Sequence, residues 1–96
     1  MRKITKDACS AFNYNQRFSR GNTSVMVDKE KTYLILHGNT IAIKHHYNDS
    51  IKISHAGWDT MVTKERLNGL PNVNIIQKDF VWYLNGKKWS GNWKFI

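Results

Sequence analysis

The spacing of apolar residues changes at Gly21, and this change constrains the fold more than any other feature of the sequence. Before Gly21, apolar residues recur every three or four positions, which is the period of an amphipathic helix. After it, β-branched residues alternate with polar ones in short runs separated by turn-forming residues, which is typical of antiparallel strands. The pattern predicts an α+β protein.

The N-terminal helix is predicted to be capped by Thr5 and to continue toward Gly21, since no Pro or Gly interrupts it. Its predicted core face is Ile4, Ala8, Ala11, Phe12, Asn15 and Phe18. Its opposite, basic face is Lys3, Lys6, Ser10, Asn13 and Arg17. Cys9 lies between the two faces, where we expect it to pack as a small apolar side chain rather than to react.

The remaining chain predicts strands joined by tight turns, with one short helix between them. The predicted strands cover 23–27, 32–37, 40–45, 50–54, 73–77, 80–84, 87–89 and 93–96. Two-residue turns are predicted at Gly38-Asn39 and Asn85-Gly86. The short helix is capped by Thr60 or Thr63 and ends at Gly69. The prediction is therefore an antiparallel sheet of about five to seven strands with an N-terminal helix and one short helix packed on it.

Length and composition favour a single soluble domain covering residues 1–96. With 96 residues, the chain can form only a small core. No apolar run is long enough to span a membrane, and the charged N-terminus lacks the pattern of a secretory signal. The single cysteine excludes an internal disulfide and fits a reducing compartment, so we expect a cytoplasmic protein.

Positive charge is concentrated at the two ends of the chain. The net charge is +8, and residues 1–20 carry five basic residues and one acidic residue, a balance of +4. The last twelve residues add three lysines and no acid. Because chain ends often lie close together in small domains, we expect one positive surface that attracts phosphates. Its candidate contacts are Lys3, Lys6, Arg17, Arg20, Lys87, Lys88 and Lys94. The alternative is that the lysines only maintain solubility.

Aromatic residues in the C-terminal third support the same interpretation. Strand alternation puts Phe80, Trp82 and Leu84 on the core face, and leaves Tyr83 near the C-terminal lysines. Aromatic side chains beside cations are typical of proteins that bind single-stranded nucleic acid, although protein interfaces use the same combination. Tyr83 is therefore a candidate stacking residue, and the Asn13 amide a candidate for contact with a base edge or phosphate.

The sequence contains few groups that could converge for catalysis. His45 and His46 are adjacent in a predicted strand, so they point to opposite faces and cannot jointly bind a metal ion. The six glycines are isolated and form no phosphate-binding loop. We therefore predict a protein without enzymatic activity, metal or cofactor.

Arg66 is ambiguous at this level. It belongs to the predicted second helix, near the N-terminus, where the helix dipole disfavours a cation. The sequence supports two interpretations equally: a structural pairing, for example with Asp59, or a side chain that faces a ligand.

Three motifs resemble those of a family of small bacteriophage proteins of unknown function. They are Leu36-His37-Gly38-Asn39-Thr40-Ile41-Ala42, Ala56-Gly57-Trp58-Asp59-Thr60 and Thr63-Lys64-Glu65-Arg66-Leu67-Asn68-Gly69-Leu70. The segment Trp82-Tyr83-Leu84-Asn85-Gly86-Lys87-Lys88-Trp89-Ser90-Gly91 resembles the same family, so that the similarity extends from Asn22 onward. The resemblance implies a phage protein that acts in the cytoplasm of an infected bacterium. It implies no catalytic residue.

The leading functional hypothesis is a basic phage protein that contacts nucleic acid through its Lys and Arg side chains. The first alternative is an anti-defence protein, of the anti-CRISPR type, that docks on a host protein or ribonucleoprotein complex through its exposed aromatic residues. The second alternative is a minor component of the virion or of its assembly.

Overall fold

The computed structural model describes all residues from Met1 to Ile96. The helices are α1 (Lys3–Asn13) and α2 (Met61–Leu67). The strands are β1 (Phe18–Arg20), β2 (Thr23–Val27), β3 (Lys31–Leu36), β4 (Asn39–His45), β5 (Ser50–Ile53), β6 (Ile75–Lys78), β7 (Val81–Leu84), β8 (Lys87–Lys88) and β9 (Lys94–Phe95). The predicted α+β class, with an N-terminal helix and one short helix, is confirmed.

The strands form two antiparallel sheets. The larger sheet has six strands in the order β1-β2-β3-β4-β5-β9, and the smaller has three in the order β6-β7-β8. Consecutive strands are neighbours except at β9, which returns from the C-terminal end of the chain to pair with β5. The larger sheet therefore has β1 at one edge and β9 at the other.

Helix α1 differs from its prediction at both ends. Arg2, not Thr5, is the N-cap residue, and its side chain forms no capping hydrogen bond. The helix ends at Asn13 because Asn15 adopts a left-handed conformation with φ 55°, which asparagine tolerates better than most residues. Arg17 and Phe18 therefore lie beyond the helix, and Phe18 begins an edge strand in which its ring is half-buried.

Two tight turns also differ by one residue from the prediction, one from the predicted turn Gly38-Asn39 and one from the connection at 78–79 between the predicted strands 73–77 and 80–84. His37 and Gly38 have φ angles of 51° and 78° and connect β3 to β4, in place of Gly38 and Asn39. Asp79 and Phe80, with φ angles of 51° and 67°, connect β6 to β7. The prediction that Phe80 faces the core is wrong, since it lies in this turn and is 95% exposed. The predicted turn at Asn85-Gly86 is confirmed.

The core lies between one face of the larger sheet and the two helices, and it continues into the buried face of the smaller sheet through Ile75, Trp82 and Leu84. Helix α1 packs on β1, β2 and β3, and α2 contacts β4 and α1. Thr60 caps α2, its Oγ1 accepting a hydrogen bond from the Thr63 amide at 3.2 Å. We call the helix-covered face of the larger sheet the inner face and the opposite one the outer face.

The largest fully buried side chain is that of Arg66, which joins both helices to the sheet. Its guanidinium donates to Thr5 Oγ1 on α1 at 2.7 Å and to Thr23 Oγ1 on β2 at 3.0 Å. The half-buried Glu65 carboxylate lies 3.1 Å from Nη1 and supplies the opposite charge. Thr5 also donates to Glu65, which closes the network. The structural interpretation of Arg66 is correct, but Asp59 is not its partner.

Lys44 is a second buried cation on the inner face. Its ammonium group donates to the Asn13 carbonyl at the end of α1 at 2.8 Å and lies 5.6 Å from the centre of the Phe12 ring. Desolvation lowers the pKa of Lys44. The position is nevertheless favourable for a cation, because carbonyl groups at a helix C-terminus carry partial negative charge.

We predict that Arg66→Ala lowers the free energy of unfolding by about 3 kcal/mol or more, since removing one partner leaves buried polar groups unsatisfied. Arg17→Ala is the matched control, because the exposed Arg17 makes one hydrogen bond, to the Val27 carbonyl at 3.3 Å. We expect it to cost less than about 1 kcal/mol. Urea denaturation followed by circular dichroism measures both. Equal effects would contradict the assigned role of Arg66.

Cys9 packs in the core, as predicted, and its environment makes it unreactive. It is 3% exposed, and its Sγ lies 3.4 Å from the Arg66 carbonyl. Burial, with a smaller contribution from the Glu65 charge, raises the pKa of the thiol to about 12. Since the thiolate is the nucleophile, the native thiol should react with very few reagents near neutral pH.

We therefore predict that native protein at mildly alkaline pH reacts with a thiol reagent such as dithionitrobenzoate only as fast as it unfolds. Unfolding in urea should expose the thiol and give one equivalent of product at once. The absorbance of the released thionitrobenzoate measures both rates. Rapid reaction of the folded protein would show that the site is more open than described.

Candidate functional site

The basic residues from the two ends of the chain do not form one surface, and this prediction is wrong. Arg20 lies on β1 and Lys94 on β9, at opposite edges of the larger sheet. Five strand spacings of about 4.8 Å put these edges about 24 Å apart. The physical reason is that β9 pairs with β5 rather than with β1, which no local sequence pattern specifies.

The N-terminal group of cations is partly neutralised. Asp7 accepts hydrogen bonds from Lys3 at 3.0 Å and from Arg20 at 2.7 Å. These bonds, that from Arg20 foremost, lower the pKa of the Asp7 carboxyl. Lys6 is exposed on α1 and forms no ion pair. Arg17 is not part of the helix and lies in the loop that follows it. The side chain of Asn13 is exposed at the last position of the helix.

The C-terminal group does come together. Lys87, Lys88 and Lys94 line one open cleft of about 430 Å³, together with Leu84, Trp89 and Ser90. All three lysines are exposed, and none forms an ion pair with a carboxylate. We call this feature the lysine cleft. It brings three cations without an ion-pair partner to one place.

Tyr83 lies on the smaller sheet next to Lys88, on the face of β7 opposite to Leu84, and does not itself line the lysine cleft. It is half-buried and is the cross-strand neighbour of Lys88 on β8 and of Ile76 on β6. Trp82 and Leu84, on the other face of the same strand, are buried. The predicted alternation along β7 is thus confirmed from Trp82 onward, and Tyr83 is accessible at the position expected for it.

A second aromatic and basic surface lies on the outer face of the larger sheet. Lys52 on β5 is the direct cross-strand neighbour of Phe95 on β9. Its ammonium group lies 5.6 Å from the centre of the Trp93 ring and 5.8 Å from that of Phe95. Trp93 is 46% exposed and Phe95 is 59% exposed. We call these three residues the outer aromatic face.

This surface continues onto the end of β4. The His45 ring lies 6.0 Å from Phe95 and 5.8 Å from the exposed ring of Tyr47. His45 pairs across the sheet with Lys31 on β3. The adjacent His46 turns the other way and contacts Thr32 Oγ1 at 2.7 Å, so the two histidines diverge as their spacing predicts.

Lys52 and the outer aromatic face were not predicted from the sequence. Trp93 and Phe95 are recognisable in the sequence as alternating aromatic residues of the predicted strand 93–96. Their association with Lys52 depends on the pairing of β9 with β5, over 40 positions away in the chain, and this pairing leaves no local signal.

An apolar cavity of about 460 Å³ lies elsewhere, between the β3–β4 turn and the start of α2. Trp58 is 56% exposed at its border, over a lining that includes Leu36 and Ile41. No Lys or Arg lines this cavity. The cavity therefore differs from the lysine cleft and the outer aromatic face, because it carries no lysine or arginine side chain.

Gly91 fixes the segment that leads into β9. Its carbonyl accepts hydrogen bonds from the His55 amide and from Ser54 Oγ, both at 2.9 Å. Its φ is +90°, and a Cβ atom there would lie 1.9 Å from the His55 ring. The ring itself packs edge-on against Trp82 at 5.6 Å. Only glycine fits this position, which sets the course of the chain between the two sheets.

We predict that Gly91→Ala destabilises the protein by about 3 kcal/mol or more, because backbone strain and steric overlap add. Gly86→Ala is the matched control, since Gly86 has a similar φ of +87° but open space around the added Cβ. We expect it to cost about 1 kcal/mol. Thermal unfolding measures the difference, and equal costs would contradict the close packing of His55 on Gly91.

A family model described as Kyanoviridae Gp96 protein matches residues 1–95. No curated protein and no solved structure matches the chain. The match confirms the resemblance to a phage protein family and extends it beyond Asn22 to include helix α1. Neither helix of the structure is long and apolar enough to cross a membrane.

Proposed function

The chain belongs to the Kyanoviridae Gp96 family of phage proteins, and from this premise we propose that it binds nucleic acid in the infected cell without catalysing a reaction. The proposed site is the lysine cleft, together with Tyr83 next to Lys88. The proposed location is the cytoplasm of the host.

The observation that carries the proposal is the absence of any ion-pair partner around Lys87, Lys88 and Lys94. Three exposed ammonium groups that repel one another around a single cleft are stabilised by a ligand with several negative charges. A nucleic-acid backbone supplies such charges at short, regular intervals. Binding releases condensed counterions, so the affinity should decrease steeply with salt concentration.

The N-terminal cations are weaker candidates than the sequence suggested. Lys3 and Arg20 share the Asp7 carboxylate, so a phosphate would compete with an existing partner for them. Lys6, Asn13 and Arg17 lie on or near α1, which packs toward the β1 edge of the sheet. The lysine cleft lies beside β9 at the other edge.

We predict that Lys87→Gln/Lys88→Gln weakens binding to a fluorescein-labelled oligonucleotide at least tenfold at low salt. For a single-stranded oligonucleotide, the slope of log affinity against log salt should decrease in magnitude by about 1.4, which corresponds to two lost phosphate contacts at about 0.7 each. Fluorescence anisotropy measured between about 50 and 200 mM salt gives both values.

The control for this experiment is Lys3→Gln/Lys6→Gln, which removes the same charge from α1. We expect less than a threefold loss of affinity from it. Equal losses for the two double variants would show that net charge rather than the lysine cleft determines binding. An affinity of the native protein that does not change with salt would contradict nucleic-acid binding altogether.

A second candidate is the anti-defence protein that docks on a host protein or ribonucleoprotein complex. The Phe80 side chain favours it, because a phenylalanine that is 95% exposed at the tip of a two-residue turn has no role in the core. Large aromatic side chains are frequent anchors of protein interfaces. A pull-down from host lysate separates the candidates: a partner retained after nuclease treatment and by the Lys87→Gln/Lys88→Gln variant would favour docking on a protein.

A further inference from the structure

We propose that the outer aromatic face, formed by Lys52, Trp93 and Phe95, is a stacking surface for the bases of a single-stranded nucleic acid. The inference rests on the proposed function and deepens it, since it specifies that the ligand is single-stranded. It also assigns a role to three residues outside the lysine cleft.

Side chains alternate between the two faces of the larger sheet along β9. Lys94 pairs with the buried Ile53 and lines the lysine cleft, whereas Phe95 pairs with Lys52 on the outer face. Trp93 is two residues from Phe95 and shares Lys52 with it. One short edge strand therefore separates a cleft suited to phosphates from a surface suited to bases. A strand of nucleic acid that crosses β9 can contact both.

The outer aromatic face combines exposed aromatic rings with a positive charge. Two large rings are exposed to about half of their area beside an ammonium group that forms no ion pair. Aromatic rings stack on bases of any sequence, and neighbouring cations bind the phosphates that follow. An apolar protein partner would gain from the rings but would have to desolvate Lys52 without a counter-charge. Charge complementarity therefore favours a polyanion with planar groups.

The surface also extends over more than one base. Trp93 directly precedes β9, and two residues of extended chain span about 6.6 Å, so Trp93 and Phe95 can contact bases of neighbouring nucleotides in an extended nucleic-acid strand. His45 lies beyond Phe95, and Lys31 pairs with it. Two acidic residues lie beside that end of the surface: Glu30, which neighbours Lys31, and Asp49, whose amide donates to the His45 carbonyl at 2.8 Å. A duplex would leave the rings unused, because its bases are stacked inside the helix.

The test compares single-stranded and duplex oligonucleotides of equal length by fluorescence anisotropy. We expect Trp93→Leu/Phe95→Leu to weaken single-strand binding at least tenfold and duplex binding less than twofold. The control is Trp58→Leu/Phe80→Leu, which removes two exposed aromatic residues elsewhere and should change neither affinity more than twofold. Equal losses for both ligands, or no loss for the single strand, would overturn the inference.

A second measurement decides the question if the double variant fails to fold. In a Trp58→Phe protein, Trp93 is the one tryptophan that remains exposed, since Trp82 and Trp89 are buried. Addition of oligothymidylate should quench its fluorescence by a third or more. Binding seen by anisotropy without quenching would overturn the inference.

The outcomes also separate this inference from the proposed function. If the lysine cleft variants lose binding while the outer aromatic face variants do not, the proposed function stands and the stacking surface is rejected. If the native protein binds neither oligonucleotide, both are rejected. If a host protein stays bound after nuclease treatment and its binding requires Trp93, the outer aromatic face binds a protein partner instead.

Discussion

The buried guanidinium of Arg66 connects both helices to the larger sheet. A seven-residue helix such as α2 is too short to be stable alone and requires tertiary contacts. Arg66 supplies them by bonding Thr5 of α1 and Thr23 of β2, while Glu65 balances its charge. The same contacts hold both helices against the inner face. This arrangement leaves the outer face of the larger sheet open, and the outer aromatic face lies there.

Most of the fold could be predicted because its signals are local. Strands β2 to β5 follow the alternation of apolar residues, and Asn85-Gly86 specifies its turn through the conformations that these residues tolerate. The predictions that were wrong concern residues whose tertiary contacts outweigh their local conformational preference. Thr5 is a good N-cap residue by type, yet it lies inside the helix, where its hydroxyl forms hydrogen bonds with Arg66 and Glu65. Phe80 fits a strand by type, yet the Asp79-Phe80 turn leaves it outside.

The candidate site was predictable only in part, for the same reason. Lys87 and Lys88 lie on one strand beside a recognisable turn, so their proximity follows from the sequence. Whether they lie near Lys3 or near Lys94 depends on the strand with which β9 pairs. This pairing joins segments that are far apart in the sequence. Lys52 illustrates the point, since nothing in its own neighbourhood in the sequence indicates an aromatic partner at position 93 or 95.

The shortness of β9 has a dynamic consequence. Two register pairs connect it to β5, with one further bond from the Ile96 amide to the Ile51 carbonyl, so its local opening costs far less than global unfolding. Hydrogen exchange should therefore be faster in this edge strand than in β3 or β4. Such fraying would release Lys94 and Phe95 together, while the Gly91 anchor keeps the preceding segment in place. Ordering of this strand by a ligand would then carry an entropic cost that lowers affinity without changing any contact.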